Sequence, residues 1–272
     1  MKTLLKYIAG VVLGNNCSFR LSRSLSKNRL IVLYYHRVVH KEECKEIDPR
    51  EGMYTDIDVF AKQMEFLKKY YNFVSESSIV KAIENNKPLT DYPLWLTFDD
   101  GWSDNYINAF PILRKYNIPA TFFVTTGYID GIFSPNKFRR KDYFMAWQQI
   151  KEVSEHGISI GAHTVSHRSL SSLSDGEIEK EIATSKDEIE RRIGNKVISF
   201  AYPFGKGEHF DSQKCLPILK KNNFKLAVTT IGGLNTLDST GDTFNLRRIG
   251  LSYDDTISIF KFKIGIGSFW QK

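Results

Sequence analysis

Leu94-Trp95-Leu96-Thr97-Phe98 is a short run of large, mostly apolar side chains that passes without a break into Asp99-Asp100-Gly101. A run of this length, closed by a turn signal, reads as a β-strand buried on both faces. Its end is as informative as its body. Two adjacent carboxylates and a glycine stand where the strand stops.

The same form recurs on both sides of this stretch. Leu30–Tyr35 (LIVLYY) ends at His36, and Thr121–Thr125 (TFFVT) follows in the other direction. Ile158–Ala162 leads into His163, and Val197–Ala201 ends at Tyr202-Pro203-Phe204-Gly205. Lys225–Thr230 and Leu246–Leu251 complete the set. Between the strands, apolar residues return at helical spacing. Helices are predicted over Asp58–Tyr70, Glu76–Glu84, Asp104–Tyr116, Asp142–His156, Asp211–Asn222 and Asp254–Lys263. One more is opened by the capping box Ser174-Asp175-Gly176-Glu177 and stopped near Ile193 by Gly194. Strands and helices therefore alternate about seven times. That predicts an α/β fold with a parallel sheet, either a (β/α) barrel or a wound sheet. In both, chemistry collects at the C-terminal ends of the strands.

Composition narrows the class. With 272 residues, 42% of them hydrophobic and 13% aromatic, the chain is neither disordered nor fibrous. The net charge of +7 is unevenly placed. Residues 1–41 hold Lys2, Lys6, Arg20, Arg23, Lys27, Arg29, Arg37 and Lys41 and no acid, so residues 42–272 sum to −1. A basic tail on a near-neutral body suits an anionic membrane surface and argues against nucleic acid. Cys17, Cys44 and Cys215 form no Cys-x-x-Cys, which excludes a disulfide framework and a thiolate zinc knuckle.

Met1–Gly14 has an apolar run from Tyr7 to Leu13, far short of the roughly 20 residues that span a bilayer. Lys6 interrupts the apolar core that a signal peptide would need. Leu4, Ile8, Val11 and Val12 share one helical face. This fits an interfacial amphipathic helix or a surface helix packed on its own domain. The expected organisation is a basic amphipathic arm over residues 1–29 and a catalytic domain over residues 30–272. Peripheral membrane association or a cytoplasmic location is expected ahead of secretion.

Four strand ends supply polar or special backbone residues to one rim. In His163-Thr164-Val165-Ser166-His167, two imidazoles four residues apart can meet one ion. A carboxylate from Asp99-Asp100 would complete a three-ligand site with an open position. Adjacent residues at a strand end point different ways, so one acid can bind while the other stays free. Taken singly, Asp-Asp-Gly is an ordinary turn and His163 an ordinary core histidine. Their joint placement at strand ends argues for a site. Trp102, Tyr128, Phe133 and Trp147 suit either sugar stacking or the core. Lys137, Arg139, Arg140 and Lys141, in the loop 131–141, suit a solvated face or an anion contact.

Leu96–Gly101 (LTFDDG) with His163–His167 resembles the polysaccharide deacetylases, the chitooligosaccharide-deacetylase homology domain. Pro119–Thr125, Ile158–His167 and Phe200–Gly205 extend the resemblance to about residues 30–251. It implies a distorted (β/α) barrel of about seven parallel strands, a divalent metal, most commonly Zn2+, and hydrolysis of N-acetyl groups from amino sugars. By the resemblance, Asp99 matches the general base, and Asp100, His163 and His167 match the metal ligands. Phe204 sits where a backbone N–H helps hold the oxyanion. The family often places an arginine two residues before the proline, where this chain has Ala201. Arg248 matches an arginine of a subset and is the expected substitute. The late Leu-x-x-His of many members is missing, since that region reads Arg248-Ile249-Gly250-Leu251. Tyr35-His36-Arg37 is similar to the branch acting on poly-N-acetylglucosamine-type exopolysaccharide, with His36 as the general acid. The implied partner is an N-acetylated glycan. The competing expectations are a peptidoglycan or lipid-linked sugar deacylase or deformylase, and an inactive carbohydrate-binding homologue.

Overall fold

The strands Ile31–Tyr35, Pro93–Phe98, Ala120–Val124, Ser199–Ala201 and Leu226–Val228 divide their side chains between two apolar clusters, and that division sets the architecture. A computed structural model describes residues 19–20, 23–24, 26–43, 53–133, 143–237 and 242–265. The predicted helix at Met1–Gly14 and the four basic residues of the 131–141 loop lie outside these residues. The strands are β1 (Ile31–Tyr35), β2 (Arg37–Val39), β3 (Tyr54–Asp56), β4 (Asn72–Phe73), β5 (Pro93–Phe98), β6 (Ala120–Val124), β7 (Ser159–Ala162), β8 (Ser199–Ala201), β9 (Leu226–Val228) and β10 (Ile249–Gly250). All pairings between these strands are parallel, in the order β10-β1-β5-β6-β7-β8-β9, with β4 also on β5 and a separate β2-β3 pair.

The sheet curls until its edges meet. Ile249 and Gly250 pair with β1, while Leu246 forms a parallel bridge to Val228 of β9. The stretch 246–250 thus joins both edges, and the expected distorted barrel of seven parallel strands is what forms. One apolar cluster holds Ile31, Leu33, Leu94, Leu96, Phe98, Phe122, Ile160 and Phe200, which meet the surrounding helices. The alternate residues Val32, Trp95, Phe123, Ala201 and Val228 form the second cluster, which fills the barrel interior. At the interior level of Phe123, Gly161 carries no side chain, and a Cβ there would lie 2.3 Å from the Phe123 ring.

Most predicted helices appear within three residues at either end: Ile57–Tyr70, Glu76–Glu84, Asp175–Ile193, Ser212–Lys221 and Ile257–Ile264. The capping box at Ser174 and Glu177 and the left-handed stop at Gly194 are both present. Two readings are corrected. The helix expected from Asp142 begins at Trp147, because Phe144 instead bridges Trp102 and the Met145 N–H donates to Gly101. The helix expected over Asp104–Tyr116 opens as a π-helical turn, Asn105–Ala109, before Phe110–Tyr116 continues it. The two-residue and three-residue strands β2, β3 and β4 were not predicted, being too short to show a period. At the end of the basic arm, Phe19 is buried edge-on to Phe66, Tyr70 and Tyr71. Arg23 lies 3.4 Å over the Tyr92 ring.

The barrel end away from the predicted site is closed by Glu76. Its buried carboxylate accepts from Ser199 and Thr121, and burial pushes its pKa up to about 7. The unfolded chain ionises this group near 4.5. Between those two values the native state holds the extra proton, so stability falls as pH rises. Glu76→Gln mimics the protonated form. It is expected to match wild type near pH 4.5 and exceed it by about 3 kcal/mol above pH 7. Urea midpoints at pH 5 and pH 8 check this. An equal difference at both pH values would remove the explanation.

Candidate active site

Asp99 continues the inward alternation of β5, and Asp100 breaks it. Asp100 adopts φ 75 and Gly101 φ 83, so the chain turns left-handed as the strand ends. Asp99 stays under the rim while Asp100 swings toward His163 and His167. Eight non-glycine residues among those described have positive φ. Four of them, Asp100, Thr164, His167 and Phe204, line this rim. Such a conformation costs about 1–2 kcal/mol per residue, and its concentration here marks a site held in place by its surroundings.

Asp100 Oδ1 lies 3.5 Å from His163 Nε2 and 3.4 Å from His167 Nε2. That oxygen is buried and accepts no hydrogen bond. Asp100 Oδ2 accepts from Trp102 Nε1 at 3.0 Å. His163 Nδ1 pairs with the Ala201 carbonyl at 2.7 Å, which commits its proton there and leaves Nε2 as a lone pair. Three donors around one ion at ~2.1 Å in tetrahedral array stand ~3.4 Å apart. The buried, unpartnered oxygen and these separations fit a metal ion, and Asp100, His163 and His167 would hold it. Burial opposes charge on both imidazoles. At His163 burial is outweighed by Asp100 together with Asp99 and the Ala201 carbonyl, and the pKa is raised, whereas at His167 burial prevails and lowers it to about 4. His167 ring-stacks on Tyr128 and meets Phe204 edge-on.

Asp99 is gripped by Arg248. Nη1 and Nη2 of Arg248 reach the two carboxylate oxygens at 2.8 and 2.7 Å, and Nε donates to the Thr229 carbonyl at 2.7 Å. The guanidinium is fully buried and lies over the Tyr34 ring. Burial would raise the Asp99 pKa, but Arg248 outweighs it and holds the carboxyl below its usual range. Ala201, where the family often has an arginine, brings no charge to this pair. Ala201 contributes its carbonyl to His163 instead.

His36 stands beside this pair at the end of β1, where the Asp99 N–H donates to Tyr35. Asn105 Nδ2 grips the His36 carbonyl at 2.6 Å. Burial lowers the His36 pKa, against the pull of Asp100 and Asp99. Phe204 faces the rim with its ring exposed, and among the described residues its N–H donates to no protein acceptor. Gly205 holds φ 63, and a Cβ on it would lie 2.4 Å from the Thr230 nitrogen. That close approach fixes the Phe204 turn, since Thr230 Oγ1 also donates to the Phe204 carbonyl at 2.7 Å.

The site draws together all seven residues singled out from the sequence: His36, Asp99, Asp100, His163, His167, Phe204 and Arg248. Of the aromatic candidates, Trp102 is buried and serves Asp100, and Trp147 donates to Asp130. Sequence reasoning passed over Glu181, Asp104 and Asn105. Asp104 accepts from Arg37 Nε and from the Val38 N–H, both at 2.8 Å, and so anchors the segment after His36. The one signal for Glu181 was a charge inside the apolar stripe Ile178, Ile182 and Ile189.

Residues 86–213 match the family described as polysaccharide deacetylase. The matched stretch contains Asp99, Asp100, His163, His167 and Phe204 but neither His36 nor Arg248. The Bacillus subtilis protein YxkH, named for the same family, is 27% identical over 183 residues, 67% of this chain and 60% of its own length. The chain therefore spans about three fifths of that relative. The poly-beta-1,6-N-acetyl-D-glucosamine N-deacetylase of Staphylococcus epidermidis is 26% identical over 86% of this chain and 83% of its own. The structure of the Streptococcus pyogenes deacetylase PplD in complex with acetate superposes with TM-score 0.72 at 28% identity, over 86% of this chain and 97% of that one. The matched motifs lie on the rim where the barrel gathers two carboxylates and two imidazoles, and it is this stretch, residues 86–213, that matches the polysaccharide deacetylase family.

Proposed function

We propose that the chain removes N-acetyl groups from the amino sugars of a surface polysaccharide, with a poly-N-acetylglucosamine-type glycan as substrate and Zn2+ as the ion. The observation that carries this reading is the convergence of Asp100, His163 and His167 with a second, differently held carboxylate, Asp99, beside them. The name of the Staphylococcus epidermidis relative supports the choice of glycan.

A divalent ion at this place supplies Lewis acidity, polarising an acetyl carbonyl and easing the ionisation of a water. Asp99, kept anionic by Arg248, accepts the proton of the attacking water. Arg248 aims that carboxylate by gripping both of its oxygens. The Phe204 N–H is the donor for the developing oxyanion. His36, at the end of β1 beside Asp99, is the group proposed to give a proton to the departing sugar amine. The basic arm, residues 1–29, is the proposed peripheral membrane contact.

The test is acetate release from a panel of poly-β-1,6-N-acetylglucosamine oligosaccharides, chitooligosaccharides and peptidoglycan fragments, before and after chelation. Release from the first, at least tenfold loss on chelation and recovery with Zn2+ are expected, following the sensitivity of metal catalysis to its ion. Full activity in the chelated enzyme, or no acetate from any glycan, would overturn the reading.

A further inference from the structure

We infer that Glu181 is a positioning residue for the metal site, acting by fixing the backbone between the two histidine ligands. The inference deepens the metal-dependent reading and rests on it. Glu181 projects from the helix Asp175–Ile193 and is buried, 6% exposed. Its Oε2 accepts from the Val165 N–H at 2.8 Å and from the Ser166 N–H at 2.9 Å. Its Oε1 accepts from Ser166 Oγ at 2.5 Å and from Arg168 Nη2 at 3.4 Å. One carboxylate therefore satisfies both amide groups that lie between Thr164 and His167.

Those two flanking residues are the strained ones, with φ 66 at Thr164 and φ 55 at His167. A four-residue spacing brings two imidazoles together readily on a helix, but here the segment is an irregular turn. Within the turn, the His167 N–H donates to Thr164 Oγ1 at 3.0 Å, and the Val165 and Ser166 N–H groups between them find their partner outside it. From one side, the Thr126 and Gly127 N–H groups donate to the Thr164 and Val165 carbonyls at 3.2 and 2.8 Å. Glu181 holds the turn from the other side through the opposite backbone groups. A glutamate buried between Ile178 and Ile182 is a local conflict with folding, of the kind expected where a site is being supported. Partners that orient metal ligands typically change affinity 10–100-fold when removed.

Three variants separate geometry from charge. Glu181→Gln keeps one oxygen in reach of both amides and loses the charge. Glu181→Asp keeps the charge and loses the reach. Glu181→Ala loses both. The readouts are Zn2+ affinity by competition with a chelating dye, and the Tm of the metal-free protein. The expected result is Zn2+ binding weakened about 10–100-fold in Ala and Asp and by less than about threefold in Gln. If the Ala variant does not fold, the Asp and Gln pair carries the comparison. Wild-type affinity in a folded Ala or Asp variant overturns the inference. So does rescue by Asp with failure of Gln, or a lowered metal-free Tm with unchanged Zn2+ affinity. Failure of the metal reading itself looks different, because wild type would then bind no Zn2+.

Discussion

Asparagine in place of Asp99 is expected to lower acetate release by about 10²–10⁴ while the protein binds as much metal as wild type, the range for loss of a positioned general base. Asparagine keeps the shape of the side chain and one oxygen toward Arg248, but it cannot accept a proton from water. The ligands Asp100, His163 and His167 are untouched. The substitution leaves the guanidinium of Arg248, which is 0% exposed, without its counter-ion. A loss of stability of about 3–5 kcal/mol is therefore expected alongside the loss of rate. Turnover, metal content and Tm measured on one preparation distinguish the two effects. A folded, metal-loaded variant with near-wild-type turnover would mean that another group takes the proton.

Methionine in place of Arg248 tests the same pair from its other side. Asp99 is 2% exposed, and among the described side chains only Arg248 pairs with it as an ion. Removing the guanidinium leaves a buried carboxylate with its charge uncompensated, which destabilises by about 3–5 kcal/mol. Burial then favours the neutral acid, which cannot act as a base. A fall in kcat of at least about tenfold with little change in KM is expected, the pattern of an interaction made in the transition state. Arg248→Lys should recover little of it. An ammonium group cannot grip both carboxylate oxygens and the Thr229 carbonyl at once, as the planar guanidinium does. Full activity in the lysine variant would show that charge alone suffices and that the bidentate geometry is incidental.

Much of this site was legible because it lies at strand ends. LTFDDG and ISIGAH each show an apolar run and then the polar residue that ends it, and both features are local. Trp102 was less legible. Its position after Asp-Asp-Gly suggested a rim aromatic, but the turn folds its indole back onto Asp100. The helix start at Trp147 was misplaced because Phe144 follows the helical period yet is claimed by a bridge to Trp102. The π-helical turn at Asn105–Ala109 has no sequence period of its own to read. The side chains of Asn105 and Asn108, with Asp104 just before them, are spent on the backbone of residues 36–38.

Local pattern was enough for the α/β class, for about seven alternations of strand and helix, and for the polar residues at four strand ends; the barrel and Arg248 came from the family resemblance. Hydrophobic period and strand punctuation act over a few residues and need no partner. Which residues meet across the barrel depends on how the sheet closes, and the place of Arg248 beside Asp99 was expected from the family resemblance alone. Arg248 reaches Asp99 across 149 residues, and it does so because the stretch 246–250 is the segment that joins β9 to β1. Glu181 reaches the turn between the histidines only once its helix packs against β7. A buried charge takes its partner from whichever strand or helix becomes its neighbour, and that choice is made by closure of the sheet rather than by the residues beside it in the chain.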